Sequence, residues 1–151
     1  MKKTLKTVEV LNAYEILSKA KYQKLNEEDK IKIWKVQRNL KPVAKKFEED
    51  KADATENLIP SDFIGRLSKA QEYEALKAQG KDELPLTSIE YINILKEIKD
   101  YNALIAKALK DTGEKEVDVN FEPISEKAFG ELMSSNDWSL KEVELIDFIV
   151  Q

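Results

Sequence analysis

Lys35, Arg38 and Lys45 stand in the stretch KIWKVQRNLKPVAKKFEED at spacings that can bring them to one helical face, with Trp34 near its edge. Such a face can take up phosphates, because neutralising them releases counterions and drives binding. An indole beside it can stack on an unpaired base. The plainer reading is a solvated helix face neutralised by acidic residues elsewhere in the chain. Carboxylates offer a second chemistry. Asp50, Asp53 and Glu56 follow one another at three-residue steps in DKADATE. They lack the loop and glycine of a calcium site, so no metal is expected there. A glycosidase needs two carboxyls facing each other across a cleft, and no spacing here points to such a pair.

What is missing narrows the chemistry further. The 151 residues include no Cys and no His. That removes thiolate nucleophiles, disulfides and cysteine metal sites, and the side chain used most often for proton transfer near neutral pH. The reading is therefore not an enzyme, with no cofactor and no metal. Charged residues make up 36% and apolar ones 42%, with only four Gly and four Pro, a balance that favours long solvated helices around one core. No apolar run reaches the 18 residues of a membrane span. The opening MKKTLKTVEVLNAYEIL is interrupted by Glu9, Asn12 and Glu15, and does not read as a signal peptide.

Charge is unevenly placed. Residues 1–46 carry 13 Lys/Arg against 5 Asp/Glu, while residues 47–151 carry 12 against 24. Either a basic face awaits an anionic partner or the two parts neutralise each other.

Elements follow from periodicity. KTLKT reads as a short strand, and Thr7 as the N-cap of a first helix over 8–25 with Val10, Leu11, Tyr14 and Leu17 inward. Asn26 caps a second helix, with Glu27, Glu28 and Asp29 in its first turn. Its apolar residues Ile33, Val36, Leu40, Val43 and Phe47 step by three, four, three and four, the seam of one helix packed on another. Pro42 lies beside this seam. The register survives across it, which favours a kinked helix over two helices. A third helix over 67–79 carries Leu67, Ala70 and Leu76 inward and ends at Gly80. Thr87 and Glu90 form a capping box opening a long helix whose stripe is Ile94, Ile98, Tyr101, Ile105 and Ala108, a natural partner for the first stripe. VDVNF alternates as a half-buried strand whose only credible partner is the N-terminal segment. Ser125 opens a short helix, and Ser139 with Glu142 caps the last one, which carries Leu140, Val143, Ile146 and Ile149. The expected fold is mainly α: a single domain over 1–151 with an antiparallel helical hairpin (about 8–57 and 67–110), a small two-stranded β patch and short C-terminal helices.

The order of VLNAYEILSK, KIWKVQRNLKPVAKKFEEDKADA, VDVNFEPIS and WSLKEVELIDFIV resembles a family of small uncharacterised proteins encoded by tailed bacteriophages and prophages. Residues 8–54 and 116–150 carry the resemblance, and about 58–86 does not match. It has no catalytic motif to transfer. It implies an accessory or assembly protein of the host cytoplasm or the virion, and a proline break that belongs to the family plan.

Three functions are ranked on this reading. The first is a non-enzymatic phage protein acting by protein–protein contacts in head or tail assembly or as a particle component, its partner a phage or host protein or further copies of itself. Trp34, Trp138 and Asp137 are its candidate contact residues, since Trp is enriched at interface hot spots. Trp138, between SSND and a helix cap, is expected to be the more exposed indole. The second is a small inhibitor of a host defence system or enzyme, suited by the acidic segment 111–151 with 3 Lys against 11 acids. The third is a nucleic-acid-binding accessory using Lys35, Arg38 and Lys45.

Overall fold

The computed structural model describes residues 1–150. In chain order they form β1 (Lys2–Lys6), α1 (Thr7–Ser18), α2 (Glu27–Leu58), α3 (Phe63–Ala78), α4 (Ser88–Gly113), β2 (Glu116–Asn120), α5 (Glu126–Ser135), α6 (Leu140–Ile146) and a 3-10 turn, Asp147–Ile149. The fold is mainly helical with one small antiparallel sheet. The chain divides into two compact units: Met1–Glu49 together with the segment from Asp111 onward, and Asp50–Lys110.

The first unit is closed by β1 and β2, which pair antiparallel from Lys2 opposite Asn120 to Lys6 opposite Glu116. The register follows from alternation: Leu5, Val119 and Phe121 go to the core while their neighbours stay exposed. One more rung extends the ladder, the Phe121 amide donating to the Met1 carbonyl at 2.8 Å. The exposed side chains pair acid with base, Lys2 with Asp118 at 2.8 Å and Lys6 with Glu114 at 2.7 Å.

Thr7 begins α1 but does not cap it by accepting from the helix. Its hydroxyl and its amide both donate to the Lys115 carbonyl, each at 2.8 Å, while Glu9 accepts from the Lys6 amide at 2.7 Å. The helix ends at Ser18, seven residues before the expected Leu25. Tertiary contacts claim the backbone that would have continued it. Asn136, at the end of α5, accepts from the Lys21 amide at 2.8 Å and donates to the Lys21 carbonyl at 3.0 Å. The Tyr22 hydroxyl donates to the Leu17 carbonyl.

Asn26 caps α2 as expected, accepting from the Asp29 amide at 2.8 Å. The helix then runs unbroken for 32 residues with Pro42 inside it. Proline removes one helical hydrogen bond and crowds the carbonyl four residues back. Arg38 and Pro42 are both exposed, so water can serve the carbonyl left over. Ile33, Val36 and Leu40 have no exposed surface. They share a core with Val10, Ala13 and Leu17 of α1, Val119 of β2, and Leu132 and Ile146 of the C-terminal helices. Each large side chain so buried contributes roughly 1.5–3 kcal/mol. Asn39 adds a polar tie, donating to the Asn120 carbonyl at 2.7 Å.

The C-terminal segment meets expectation at its caps. Ser125 accepts from the Ala128 amide at 3.1 Å, and Ser139 from the Glu142 amide at 3.2 Å. Leu140 is an exception, 76% exposed at the first position of α6. Ile124 donates to the Ile149 carbonyl at 2.9 Å, fixing the chain end beside the sheet.

In the second unit α3 and α4 run antiparallel as a hairpin of their own. Phe63 meets Tyr101 edge-on at 5.2 Å and Tyr73 stacks on Tyr91 at 4.3 Å, so contacts from one helix descend the other. Arg66 pairs with Glu97 between them. The Tyr91 hydroxyl donates to Glu74, and that bond holds its pKa up at about 12. Gly80, at φ 71°, turns the chain after α3, with Lys81 donating to the Leu76 carbonyl at 3.1 Å. The α3 helix starts at Phe63, four residues earlier than expected, because Phe63 is an anchor and Gly65 is tolerated within the first turn. Of the α2 stripe, Ile33, Val36, Leu40 and Val43 pack in the first unit's core, and Tyr101 of the α4 stripe meets Phe63 of α3.

Two substitutions on α2 test this account by chemical denaturation. Leu40→Ala is expected to cost about 2–5 kcal/mol, a buried leucine lost from a filled core. Pro42→Ala is expected to stabilise, since the restored helical hydrogen bond outweighs the about 0.4–1 kcal/mol lost to a looser unfolded chain. A destabilised Pro42→Ala variant would contradict the tolerated-proline reading.

Candidate functional site

The candidate residues of α2 separate into two sets. Lys30, Lys32 and Lys35 are engaged, with Glu27 at 3.7 Å, Glu28 at 3.2 Å and Glu122 at 3.9 Å. Lys35 therefore leaves the expected basic face, turned by roughly 100° per residue from Trp34 toward the acid that follows β2. Arg38 and Lys45 stay exposed, and Lys41 joins them. Trp34, Arg38, Lys41 and Lys45 step by four, three and four, so they form one outer stripe. The signal for Lys41 was present in the sequence, because this stripe runs parallel to the buried one at the same heptad spacing.

Trp34 is 55% exposed, and the Arg38 guanidinium sits 5.3 Å from its ring centre. That cation–π contact orders both groups without consuming the charge. Trp138 reverses expectation: it is only partly exposed and packs against the core. It helps line a cavity of about 410 Å³ with Ile16, Lys19, Lys141 and Leu145. The reason is the Asn136 clasp on Lys21, which draws the segment before α6 onto the end of α1. Asp137 between them is exposed. Trp34 and Trp138 thus belong to different surfaces.

Two further cavities lie between α1 and α2. One of about 320 Å³ is lined by Tyr14, Trp34, Gln37, Arg38 and Lys41. The other, about 360 Å³, has Leu11, Tyr14, Ala44 and Lys45 in its walls, with Lys41 again. They share Tyr14 and Lys41 and lie side by side in the trough between α1 and α2. Its carboxylates are Glu15 and Glu48. Glu15 accepts from Lys19 at 2.8 Å, which lowers its pKa from the ordinary carboxylate value.

Elsewhere in this unit the charge asymmetry is used internally. Lys2, Lys6 and Lys35 each meet an acid of the segment after α4. The hydrogen bonds from Lys2 and from Thr4 hold the Asp118 carboxyl below its usual pKa. The bond to Glu114 raises that of Lys6. Among the described residues no three acidic side chains converge to hold a metal ion, Asp50, Asp53 and Glu56 included. No helix of these residues is long and apolar enough to cross a membrane.

Comparison with protein-family models, with curated proteins and with solved structures finds no match for this chain.

Because folding depresses the Asp118 pKa, its contribution to stability is complete above the ordinary carboxylate range and is lost as pH falls through the lowered value. A carboxyl NMR titration is expected to place the Asp118 midpoint below 3.8, the unperturbed value. Lys2→Ala should move it upward, and an unchanged midpoint would remove the assigned cause.

Proposed function

We propose that this chain is a non-enzymatic phage accessory protein that acts by protein–protein contacts, in head or tail assembly or as a component of the particle. One observation carries the contact reading. Ile89 and Ile92 of α4 are 72% and 61% exposed, and Leu95 continues at the same three-residue step. Large aliphatic side chains at neighbouring helical positions lose favourable burial while they face water, and a partner's surface would recover it. Ile64 of α3, 76% exposed, adds to the unburied apolar surface of the second unit. The order of sequence segments that resembles small proteins of tailed phages supplies the phage and assembly part of the proposal.

The inhibitor reading draws on the acidic C-terminal segment. Glu114, Asp118 and Glu122 of that segment are already held by lysines of the same chain, which leaves less free charge to imitate a nucleic acid.

Light scattering after size exclusion tests the assembly reading. Wild-type protein is expected to run as a closed oligomer, and Ile89→Asp with Ile92→Asp to give a monomer of unchanged circular dichroism. A monomeric wild type would overturn the assembly reading in favour of an inhibitor with a host target.

A further inference from the structure

We infer that the trough between α1 and α2 binds single-stranded nucleic acid, with Trp34 as the platform for a base and Arg38, Lys41 and Lys45 as phosphate contacts. This goes beyond the contact function and rests on the first unit alone.

α2 carries eight cations, Lys30, Lys32, Lys35, Arg38, Lys41, Lys45, Lys46 and Lys51, and Lys30, Lys32 and Lys35 have acids within ion-pair reach. Of the other five, Arg38, Lys41 and Lys45 share a stripe with Trp34, and Lys46 and Lys51 lie off it. Those three line the concavities between α1 and α2.

The aromatic decides between classes of anionic partner. An acidic peptide would be served by the cations alone. A base needs a π-face, and Trp34 offers a ring more than half exposed, ordered by the Arg38 guanidinium. Tyr14 lies midway along the trough, common to both cavities, beside the apolar Leu11 and Ala44. Arg38 to Lys45 covers about 10 Å of helix axis, room for a short run of nucleotides. A concave trough with an aromatic at one end suits a flexible strand whose bases can turn out, and a duplex presents its phosphates on a convex surface. Glu48 bounds the trough beyond Lys45, and Glu15 is occupied by Lys19.

The test is fluorescence anisotropy with a labelled dT20 oligonucleotide at salt from 50 to 300 mM, with rU20 alongside. Saturable binding is expected that weakens with salt. The combined Arg38→Ala, Lys41→Ala and Lys45→Ala variant should bind at least 10-fold more weakly and lose about 2 units of the log–log salt slope, as three single-strand phosphate contacts require. Trp34→Ala should weaken binding about 10-fold with the salt slope unchanged. Lys30→Ala with Lys32→Ala is the control and should change neither. All these side chains reach solvent, and melting curves verify that each variant folds. Absence of dT20 and rU20 binding at 50 mM salt overturns the proposal, as does equal affinity in the triple variant. Binding of a poly-glutamate peptide in place of either oligonucleotide overturns it too, and assigns the trough to an acidic protein. Ile89→Asp with Ile92→Asp should leave dT20 affinity intact, so failure of the assembly reading and failure of this one are told apart.

Discussion

The first unit depends on bringing together two segments that lie far apart in the chain. Thr4 and Asp118, hydrogen-bonded at 2.7 Å, are 114 residues apart. Closing a loop of that length costs about 4 kcal/mol in chain entropy. The five-residue ladder and its exposed ion pairs offset little of that, since water screens surface pairs of this kind. What holds the ends together is the core beneath, where Leu5 and Val119 from the two strands meet α1, α2 and the C-terminal helices. The ladder sets the register, and burial supplies the free energy.

Local signals were legible wherever one residue type had one job. Asn26, Ser125, Thr87 with Glu90, and Ser139 with Glu142 marked helix starts that the structure reproduces, because a cap depends on its own turn. The pairing of the two strands was legible because alternation left each a single complementary edge. Boundaries set by distant residues were not. Nothing near Ser18 announces the end of α1; Asn136 does that from the far end of the chain. Likewise the α2 and α4 stripes each ask for a partner without saying which, and a heptad seam is satisfied by any apolar neighbour.

The candidate surface shows the same limit from the other side. Composition predicted that basic and acidic parts would either neutralise each other or leave a basic face. The structure divides the question by residue, pairing Lys2, Lys6 and Lys35 and leaving Arg38, Lys41 and Lys45. Spacing alone placed Lys35 with the free set, because the position of Glu122 is a tertiary fact. The placement of Trp138 has the same cause. Trp138 follows a polar SSND and should face water on local grounds, yet it is drawn onto the core by its neighbour's clasp.

The division of the first unit across the chain has a consequence for biosynthesis. A ribosome delivers Ile33, Val36 and Leu40 long before Val119, Leu132 or Ile146 exist to cover them. The α3–α4 hairpin is contiguous, and its aromatic contacts can form while synthesis continues. The nascent chain would therefore carry a folded middle and an uncovered amino-terminal half, a state open to chaperone capture until the last helices emerge. The outward face of α2, rich in lysine, is then the part that keeps such an intermediate from associating through its bare apolar side.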